Sequence, residues 1–427
     1  MENKPRIIPQ GTIFPFVVLA SCFAWWGLAN NMTDPLVKAF TGIYKDMSNF
    51  EASLIQFAFY GAYFCLAIPG ALINRKFSYK HGVLVGLGIY IVGCFLFYPA
   101  SQSQSFYFFL LAFYVLAGGL TILETAADPY ILSMGPAETA TQRLNLAQSF
   151  NPMGSLLGTF MCQYLILAKL EAFRAEQNGL SLAEVQTREL SIVVVPYIGV
   201  GVFLLAVWVL IAVMKMPHSA PQVATPDHQL HFMGSVKRLA KNPNYIFAVI
   251  AQFFYVGVQI SAWTFTVYYI PAQLGIKDSE ALKYHTVALV LFAAMRFVCT
   301  GLMSFIKPGM LLLFFSLVAI LCCLLVIFVG GMVGVLGLIG ISACMSLMFP
   351  TIFGLGTSGL GQDTKIGGSG LIMAILGGAL VPLVQASLID QWNVSMSYVV
   401  PLICFVVIAG YAAFAWKYVK ESAIAHA

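Results

Sequence analysis

Three carboxylates lie inside segments that are otherwise apolar enough for a lipid bilayer. Asp34 lies in a run that begins near Ile13, and Glu124 and Asp128 lie in the stretch LTILETAADPY. Ionisable side chains are costly inside a membrane, and those found there usually bind substrate, relay protons or pair with another charge. All three acids belong to the first half of the chain. That half is therefore predicted to handle a proton or another cation.

Asp34 shares a helix face with polar and aromatic neighbours. Asn31 precedes it by three residues and Asn30 by four, and Trp26 extends the same stripe by one more turn. An indole stacks on the C–H face of a sugar, while amides both donate to and accept from hydroxyl groups. The pattern is typical of a polyol site. The alternative is that the asparagines only join helices to each other.

Glu124 and Asp128 are four residues apart, so they share one face of a helix. Two neighbouring acids that are out of water tend to keep a proton between them, since charging both is unfavourable. The pair is predicted to hold one proton near neutral pH. The alternative is a sodium ion coordinated with help from Thr125 or backbone carbonyls. For Asp128, which precedes Pro129 near the inner end of the segment, a solvated helix end is a further alternative.

Two later apolar segments also carry polar side chains at helical spacing. Amides recur every third residue at the start of the fifth segment: Asn145, Gln148 and Asn151. In AQFFYVGVQISAWTF, Gln252, Gln259 and Trp263 fall on one side of a helix, and we predict that Gln259 and Trp263 contact substrate. Arg296 lies inside the eighth segment, where it can bind substrate, pair with an acid or hold backbone carbonyls.

Composition indicates which elements must position these side chains. Of 427 residues, 60% are hydrophobic and 9% are charged, whereas a soluble domain has about 25% charged residues. An all-α integral membrane protein is therefore predicted. A crossing helix needs roughly 20 apolar residues, and the sequence contains twelve such runs: 13–39, 52–74, 82–100, 105–133, 144–168, 191–215, 245–272, 284–305, 309–329, 332–353, 367–389 and 395–416.

The longest polar breaks, 169–190 and 216–244, indicate the domain organisation. The second break predicts an N-terminal six-helix bundle (1–215), a central cytoplasmic loop (216–244) and a C-terminal six-helix bundle (245–427), the arrangement of two related repeats around one site. Fourteen of the 22 lysines and arginines fall on the side of the N-terminus and seven on the other. Both termini are therefore predicted to be cytoplasmic.

Several function classes are not supported by the sequence. It has no CxxC pair, no His/Cys cluster and no nucleophile–base pair, so no enzyme and no bound cofactor are expected. The net charge of +5 carries no nucleic-acid signal. No small-residue cleavage site follows the N-terminus, so no signal peptide is predicted.

Six strings, distributed in order over both halves, resemble one known family. ANNMTDPL, LETAADPY, RLNLAQSFNPMG, AQFFYVGVQ, FPTIFGLG and LGQDTKIGGS are similar to the L-fucose/proton symporter family of the major facilitator superfamily, which includes galactose and glucose symporters. GALINRKFSYK resembles a degenerate form of the superfamily's GxxxDRxGRR loop, with Asn74 in place of the aspartate. The resemblance implies the twelve-helix major facilitator fold and alternating access around a central site.

The resemblance also implies roles for individual residues. Asp34 matches the family's substrate- and proton-linked aspartate, and Glu124 matches its span-four glutamate. Phe349 stands where the fucose symporter has a tyrosine and Asp128 where it has an asparagine, so both the sugar and the ion stay open, with sodium possible at Asp34, Glu124 or Asp128. The side chains implied to face the sugar are Trp26, Asn31, Gln148, Asn151, Phe292 and Phe349.

The sequence therefore predicts a secondary active transporter of the bacterial inner (cytoplasmic) membrane. It is expected to import a neutral monosaccharide with a proton and to work as a monomer, with the sugar, the cation and the bilayer as its partners. The alternatives are sodium coupling, export of drugs or metabolites, and a sugar sensor that binds without transporting.

Overall fold

The structure is a computed structural model that describes residues 6–44, 47, 49–176, 180–216 and 232–425. The side chains at 34–35, 37–38, 41, 49–50, 52–53, 278–279 and 418–425 lie outside this description. No described residue lies in a strand. The helices are α1 Ile13–Ile43, α2 Asn49–Lys76, α3 Tyr79–Ser103, α4 Phe106–Ser133, α5 Ala140–Gln148, α6 Phe150–Met161, α7 Ala168–Glu176, α8 Leu182–Val213, α9 Phe232–Leu239, α10 Pro243–Leu274, α11 Asp278–Leu302, α12 Pro308–Phe328, α13 Gly331–Met345, α14 Met348–Thr357, α15 Thr364–Met373, α16 Gly377–Gln391 and α17 Val399–Ala425.

Twelve helical segments of the described chain are long and apolar enough to cross a membrane. The predicted all-α membrane fold is therefore confirmed, while the orientation of the termini stays a prediction. Three spans contain more than one of these α-helices. Span five, Ala137–Glu176, contains α5, α6, the π-helical turn Cys162–Leu167 and α7. Spans ten and eleven combine α13 with α14 and α15 with α16.

The predicted break at 169–190 is wrong in its bounds. Helix continues to Glu176, and α8 begins at Leu182. Ser181 caps α8: its hydroxyl accepts from the Glu184 N–H at 3.4 Å, and its own N–H donates to the Glu184 carboxylate at 2.9 Å. Hydropathy reports where the chain leaves the bilayer, whereas a helix rich in alanine, leucine, lysine and glutamate continues into water.

The surface of the helices is suited to lipid rather than to water. On α12, large apolar side chains follow one face and are more than half exposed: Phe314, Leu317, Leu321 and Phe328. The opposite face buries Phe315, Ala319 and Cys323. A soluble protein rarely exposes so continuous an apolar stripe. The exposed stripe is therefore the lipid-facing side of this span.

The described residues form two compact units. The N-terminal unit comprises 11–130 and 150–216, and the C-terminal unit comprises 6–10, 131–149 and 232–425. Helix α5 thus packs within the C-terminal unit, where Gln142 donates to the Thr300 carbonyl at 2.9 Å and Asn145 donates to the Thr351 hydroxyl at 3.2 Å. The division at a central loop into two six-helix bundles stays a prediction.

In the N-terminal unit, α1 and α6 pack with their backbones in contact. A Cβ at Gly154 would overlap the carbonyl of Ala24, and a Cβ at Gly27 would overlap the carbonyl of Asn151. Small residues allow this approach in membrane helices, where close packing replaces the hydrophobic effect. The contact brings together the two helices that carry Asn31 and Asn151.

Candidate functional site

A hydrogen bond and an electrostatic interaction in the N-terminal unit connect an indole with a buried acid. Trp26 on α1, half-buried, donates its Nε1–H to the hydroxyl of Tyr63 on α2. Tyr63 is fully buried and lies close enough to Glu124 on α4 for the two side chains to interact electrostatically. Three helices therefore contribute to one polar cluster, and the predicted sugar-stacking residue and the predicted proton carrier are one side chain apart.

Glu124 and Asp128 are both removed from water. Their side chains are on one face of α4, interact with each other, and keep 3% and 0% of their surface exposed. The Glu124 Oε2 atom has no hydrogen-bond partner among the described residues. A charged carboxylate there would lack the hydrogen bonds that a buried anion needs, so the protonated acid suits this position. The alternative that Asp128 is a solvated helix end is wrong, because its side chain is buried.

The hydroxyl of Thr125, a suggested sodium ligand, donates to the Thr121 carbonyl at 2.7 Å. Among the residues that the structure describes, no group of three or more His, Cys, Asp or Glu is placed to hold a metal ion.

Asn74, near the C-terminal end of α2, is bound to α4 next to the two acids. Pro129 has no N–H, so it leaves the carbonyl of Thr125, four residues earlier, without its usual helical donor. Nδ2 of the fully buried Asn74 donates to this carbonyl at 3.1 Å. The amide that replaces the superfamily's aspartate thus has a structural function in α4.

Three polar residues on α1 and α6 are predicted to belong to the site, and the structure describes them to different extents. Asn31 is half-buried, and its Nδ2 donates to the Gly27 carbonyl of its own helix at 3.0 Å. Asn151 is half-buried on α6. The backbone of Asp34 is part of α1, but its side chain lies outside the described part of the chain. The part of Asp34 in the site therefore stays a prediction.

Trp263 and Phe292 form an aromatic pair in the C-terminal unit. Trp263 on α10 and Phe292 on α11 meet edge to face, with ring centroids 5.0 Å apart. The Trp263 Nε1–H donates to the Ser342 hydroxyl at 3.1 Å, and that hydroxyl donates to the Ala288 carbonyl at 2.9 Å. The indole is therefore fixed from two sides, as a stacking surface for a ligand must be.

Arg296 is held by a backbone carbonyl and an aromatic ring. Its Nη1 donates to the carbonyl of Gln148 at 3.3 Å, and its guanidinium lies 5.0 Å from the Phe292 centroid. Pro152 cannot donate to that carbonyl, so Arg296 supplies a replacement donor, as Asn74 does for Thr125. Among the roles left open for Arg296, holding a backbone carbonyl is the one that these contacts support.

Phe349 and the glutamines of α10 complete the predicted set. Tyr255 packs edge to face on Phe349 at 6.2 Å and donates to the Met345 carbonyl at 3.1 Å. Gln259 is half-buried. Gln252 is fully buried, and neither of its amide atoms has a partner among the described residues.

Two ionisable groups outside the spans do not titrate at physiological pH. Arg238 on α9 donates two hydrogen bonds of 2.7 Å to Asp363, and this carboxylate raises the pKa of Arg238 above its ordinary value. Burial raises the pKa of Tyr44 to about 12. A raised arginine pKa keeps the ion pair intact below that value and loses it only above it, so neither group contributes a pH dependence between about pH 5 and 9.

A family model described as Major Facilitator Superfamily matches residues 16–380. The chain belongs to this superfamily. Its relatives include the L-fucose-proton symporter of Haemophilus influenzae, which is 44% identical over 430 residues, covering 97% of this chain and 99% of the relative. A glucose/galactose transporter of Brucella abortus is 32% identical, with 93% of each chain covered. The predicted family is confirmed.

The crystal structure of the superfamily transporter FucP in the outward conformation has the same fold. It superposes with a TM-score of 0.85 at 36% identity and covers 95% of this chain and 99% of its own. The superfamily and these relatives are transporters, so the prediction that the chain is not an enzyme is confirmed.

The predicted site residues of this superfamily member fall into two groups. Trp26 is hydrogen-bonded to Tyr63, which interacts electrostatically with Glu124, and Asp128 lies beside Glu124. Trp263 is joined to Phe292. Asn31, Asn151 and Gln259 belong to neither group, so their part in the site stays a prediction.

Sequence reasoning missed Tyr63 and Ser342, which orient the predicted residues Trp26 and Trp263. The tyrosine in the middle of span two could have predicted a hydrogen bond between helices, because a buried phenol usually needs a partner.

Proposed function

We propose that this chain imports a neutral monosaccharide together with a proton by alternating access, as a monomer in the bacterial cytoplasmic membrane. Two relatives, one named as an L-fucose-proton symporter and one as a glucose/galactose transporter, support the substrate class. The observation that carries the proposal is the hydrogen bond from Trp26 to the Tyr63 hydroxyl, which lies within electrostatic range of the buried Glu124. This arrangement places an indole that can stack on a sugar near a buried acid.

The coupling follows from the hydrogen-bonding state of Tyr63. With Glu124 protonated, its side chain is neutral, and Tyr63 holds Trp26 in place by accepting its N–H. When Glu124 loses its proton, the carboxylate becomes the strongest acceptor nearby and attracts the Tyr63 hydroxyl. Because the hydroxyl can accept and donate at once, the proposed change is that the Tyr63 ring turns toward the carboxylate and away from the indole, which lowers the affinity for the sugar as the proton leaves. Asp34 would load the proton from the outside.

The sugar is recognised by neutral groups. Asn31 and Asn151 offer amides to hydroxyls, and Trp26 offers an aromatic face. Phe349 lacks a hydroxyl, which favours sugars that need fewer polar contacts on that side. A panel of labelled fucose, galactose, glucose and amino sugars in a proteoliposome counterflow assay identifies the substrate. Exchange of none of them, despite binding, would support a sensor instead.

The coupling ion is tested by substrate-driven pH changes. Adding the sugar to weakly buffered cells is expected to alkalinise the medium, since protons enter with it. Uptake at fixed pH and membrane potential should not change when sodium is replaced by choline. Uptake that needs sodium and ignores a proton gradient would establish sodium coupling, and alkalinisation by hydrophobic cations instead of sugars would establish an exporter.

A further inference from the structure

Two cysteines of neighbouring spans lie against each other in the C-terminal unit. Cys322 is on α12 and Cys344 is on α13, and their thiols are close enough to interact with each other. Both are free thiols. Neither cysteine belongs to the predicted sugar site.

The backbones approach closely at this point because α13 presents glycine to α12. A Cβ at Gly337 would lie 3.0 Å from the Cys322 carbonyl oxygen, and a Cβ at Gly340 would lie 2.9 Å from the Cys322 Sγ. Gly340 and Cys344 are one turn apart on the same helix face. The Sγ of Cys322 therefore lies against Gly340, one turn from Cys344 on the same helix face, which agrees with the interaction between the two thiols.

One of the two thiols can be reached from the bilayer. Cys322 is partly exposed, whereas Cys344 is 3% exposed. Cys322 also lies six residues, about 9 Å at 1.5 Å per residue, before the end of α12 at Phe328. In the predicted orientation this end faces the outer side of the membrane, where disulfides persist.

The position of Cys344 connects the two cysteines to the aromatic pair. The next residue, Met345, accepts the hydrogen bond of Tyr255 through its carbonyl, and Ser342, two residues earlier, accepts that of Trp263. A covalent link at Cys344 would fix this part of α13 against α12. The stacking surface that Trp263 and Tyr255 help to form would then lose the freedom that alternating access needs.

We propose that Cys322 and Cys344 form a dithiol modification site, at which a membrane-permeant two-electron oxidant closes a disulfide between α12 and α13 and stops transport. With an azo compound as oxidant, one thiol adds across the N=N bond. The second sulfur then attacks the first, the S–N bond breaks and the S–S bond forms. The two sulfurs give up two electrons and two protons, and the azo compound leaves as the hydrazine. The sulfurs close to about 2.05 Å.

The test uses the full chain in proteoliposomes, treated with the azo compound diamide. Cyanogen bromide cleaves after methionine and separates Cys322, on fragment 311–332, from Cys344, on fragment 333–345. After treatment the two fragments are expected to run as one disulfide-linked species. Sugar counterflow is expected to fall at least tenfold, and dithiothreitol should restore both the separate fragments and the exchange.

Single variants assign the effect to this pair. Cys65→Ser is the background, because Cys65 is the exposed thiol that would link copies of the chain. In it, Cys322→Ser, Cys344→Ser and Cys344→Ala should each abolish the linked species and the inhibition. Cys323→Ser, next to Cys322 but fully buried, should retain both effects.

Fragments that stay separate at saturating diamide would overturn the proposal, as would inhibition that survives Cys322→Ser or a disulfide that leaves counterflow unchanged. The transport readout rests on the proposed function, but the fragment assay does not. If the untreated protein exchanges no sugar, the proposed function fails while the linked fragments still test the dithiol site.

Discussion

At the scale of single residues, Glu124 is the side chain whose chemistry differs most from that of the apolar residues around it. It is buried beside Asp128 and has an oxygen without a partner in the described chain. Membrane acids in this situation are usually functional. Arg238 and Tyr44 do not titrate near neutral pH, so neither is expected to contribute to the pH dependence of transport.

Glu124→Gln is expected to separate exchange from accumulation. Glutamine has the shape and neutrality of the protonated acid, so the variant should retain sugar counterflow within about threefold. It cannot release a proton, so concentrative uptake and sugar-driven alkalinisation should both be lost. The matched control is Asp128→Asn, one turn away on α4, which should retain accumulation. Loss of accumulation in the control alone would transfer the coupling role to Asp128.

The hydrogen bond between Trp26 and Tyr63 is expected to contribute to sugar affinity. Trp26→Phe and Tyr63→Phe each remove it from one side while keeping an aromatic ring. The net value of such a bond is about 1 kcal/mol, which corresponds to a roughly fivefold weaker apparent affinity. A double-mutant cycle measured by counterflow should show that the two effects do not add. Fully additive effects would mean that the two side chains act on the sugar separately.

At the scale of elements, two prolines determine which polar side chains hold the helices together. Pro129 and Pro152 each remove a backbone donor, and Asn74 and Arg296 supply replacements to the freed carbonyls. Both of these replacement hydrogen bonds join distant segments of the chain. A proline in a membrane helix is tolerated when a neighbouring group satisfies the backbone in this way.

Asn74→Ala is expected to destabilise α4 only when Pro129 is present. The variant leaves the Thr125 carbonyl without the donor from Asn74, at a cost of about 1–3 kcal/mol. In a Pro129→Ala background the new N–H takes over this carbonyl, so the same substitution should cost much less. Thermal unfolding of the four proteins in detergent gives the comparison. Equal losses in both backgrounds would show that Asn74 stabilises the unit by another contact.

Close packing between α1 and α6 gives a second prediction at this scale. Gly154→Ala should force the two helices apart, because the new Cβ overlaps the carbonyl of Ala24. Overpacking of this kind costs about 1–3 kcal/mol, and the displacement should reduce sugar binding by Asn31 and Asn151. Gly61→Ala is the control, since a Cβ at Gly61 meets nothing within 4 Å. It should be neutral or slightly stabilising in thermal unfolding and should retain transport.

How much of these elements could be predicted from the sequence depends on how far apart along the chain the interacting residues lie. Twelve spans follow from hydropathy, because crossing a bilayer requires a fixed length of apolar chain. The end of α7 at Glu176 does not follow from hydropathy, since residues with high helix propensity continue beyond the apolar run. The missing N–H of Pro129 is visible in the sequence. Its replacement by Asn74 is not, because no local pattern pairs residues 51 positions apart.

At the scale of the whole molecule, the sequence predicts the membrane embedding better than the grouping of the helices. The exposed apolar faces of spans such as α12 follow directly from composition. The placement of 131–149 with the C-terminal unit does not. It depends on the contacts of Gln142 and Asn145 with Thr300 and Thr351, and each of these pairs joins residues more than 150 positions apart.

The direction of transport rests on the orientation of the chain. Lysine and arginine are twice as frequent on the side of the N-terminus as on the other, and translocation of positive loops is disfavoured. A fluorescent protein fused to either terminus should therefore fluoresce in the cytoplasm. Alkaline phosphatase inserted between α7 and α8 should be active in the periplasm, and the same insertion between α8 and α9 should be inactive as the control. The reverse pattern would turn the proposed importer around in the membrane, and proton entry could then no longer drive the sugar inward.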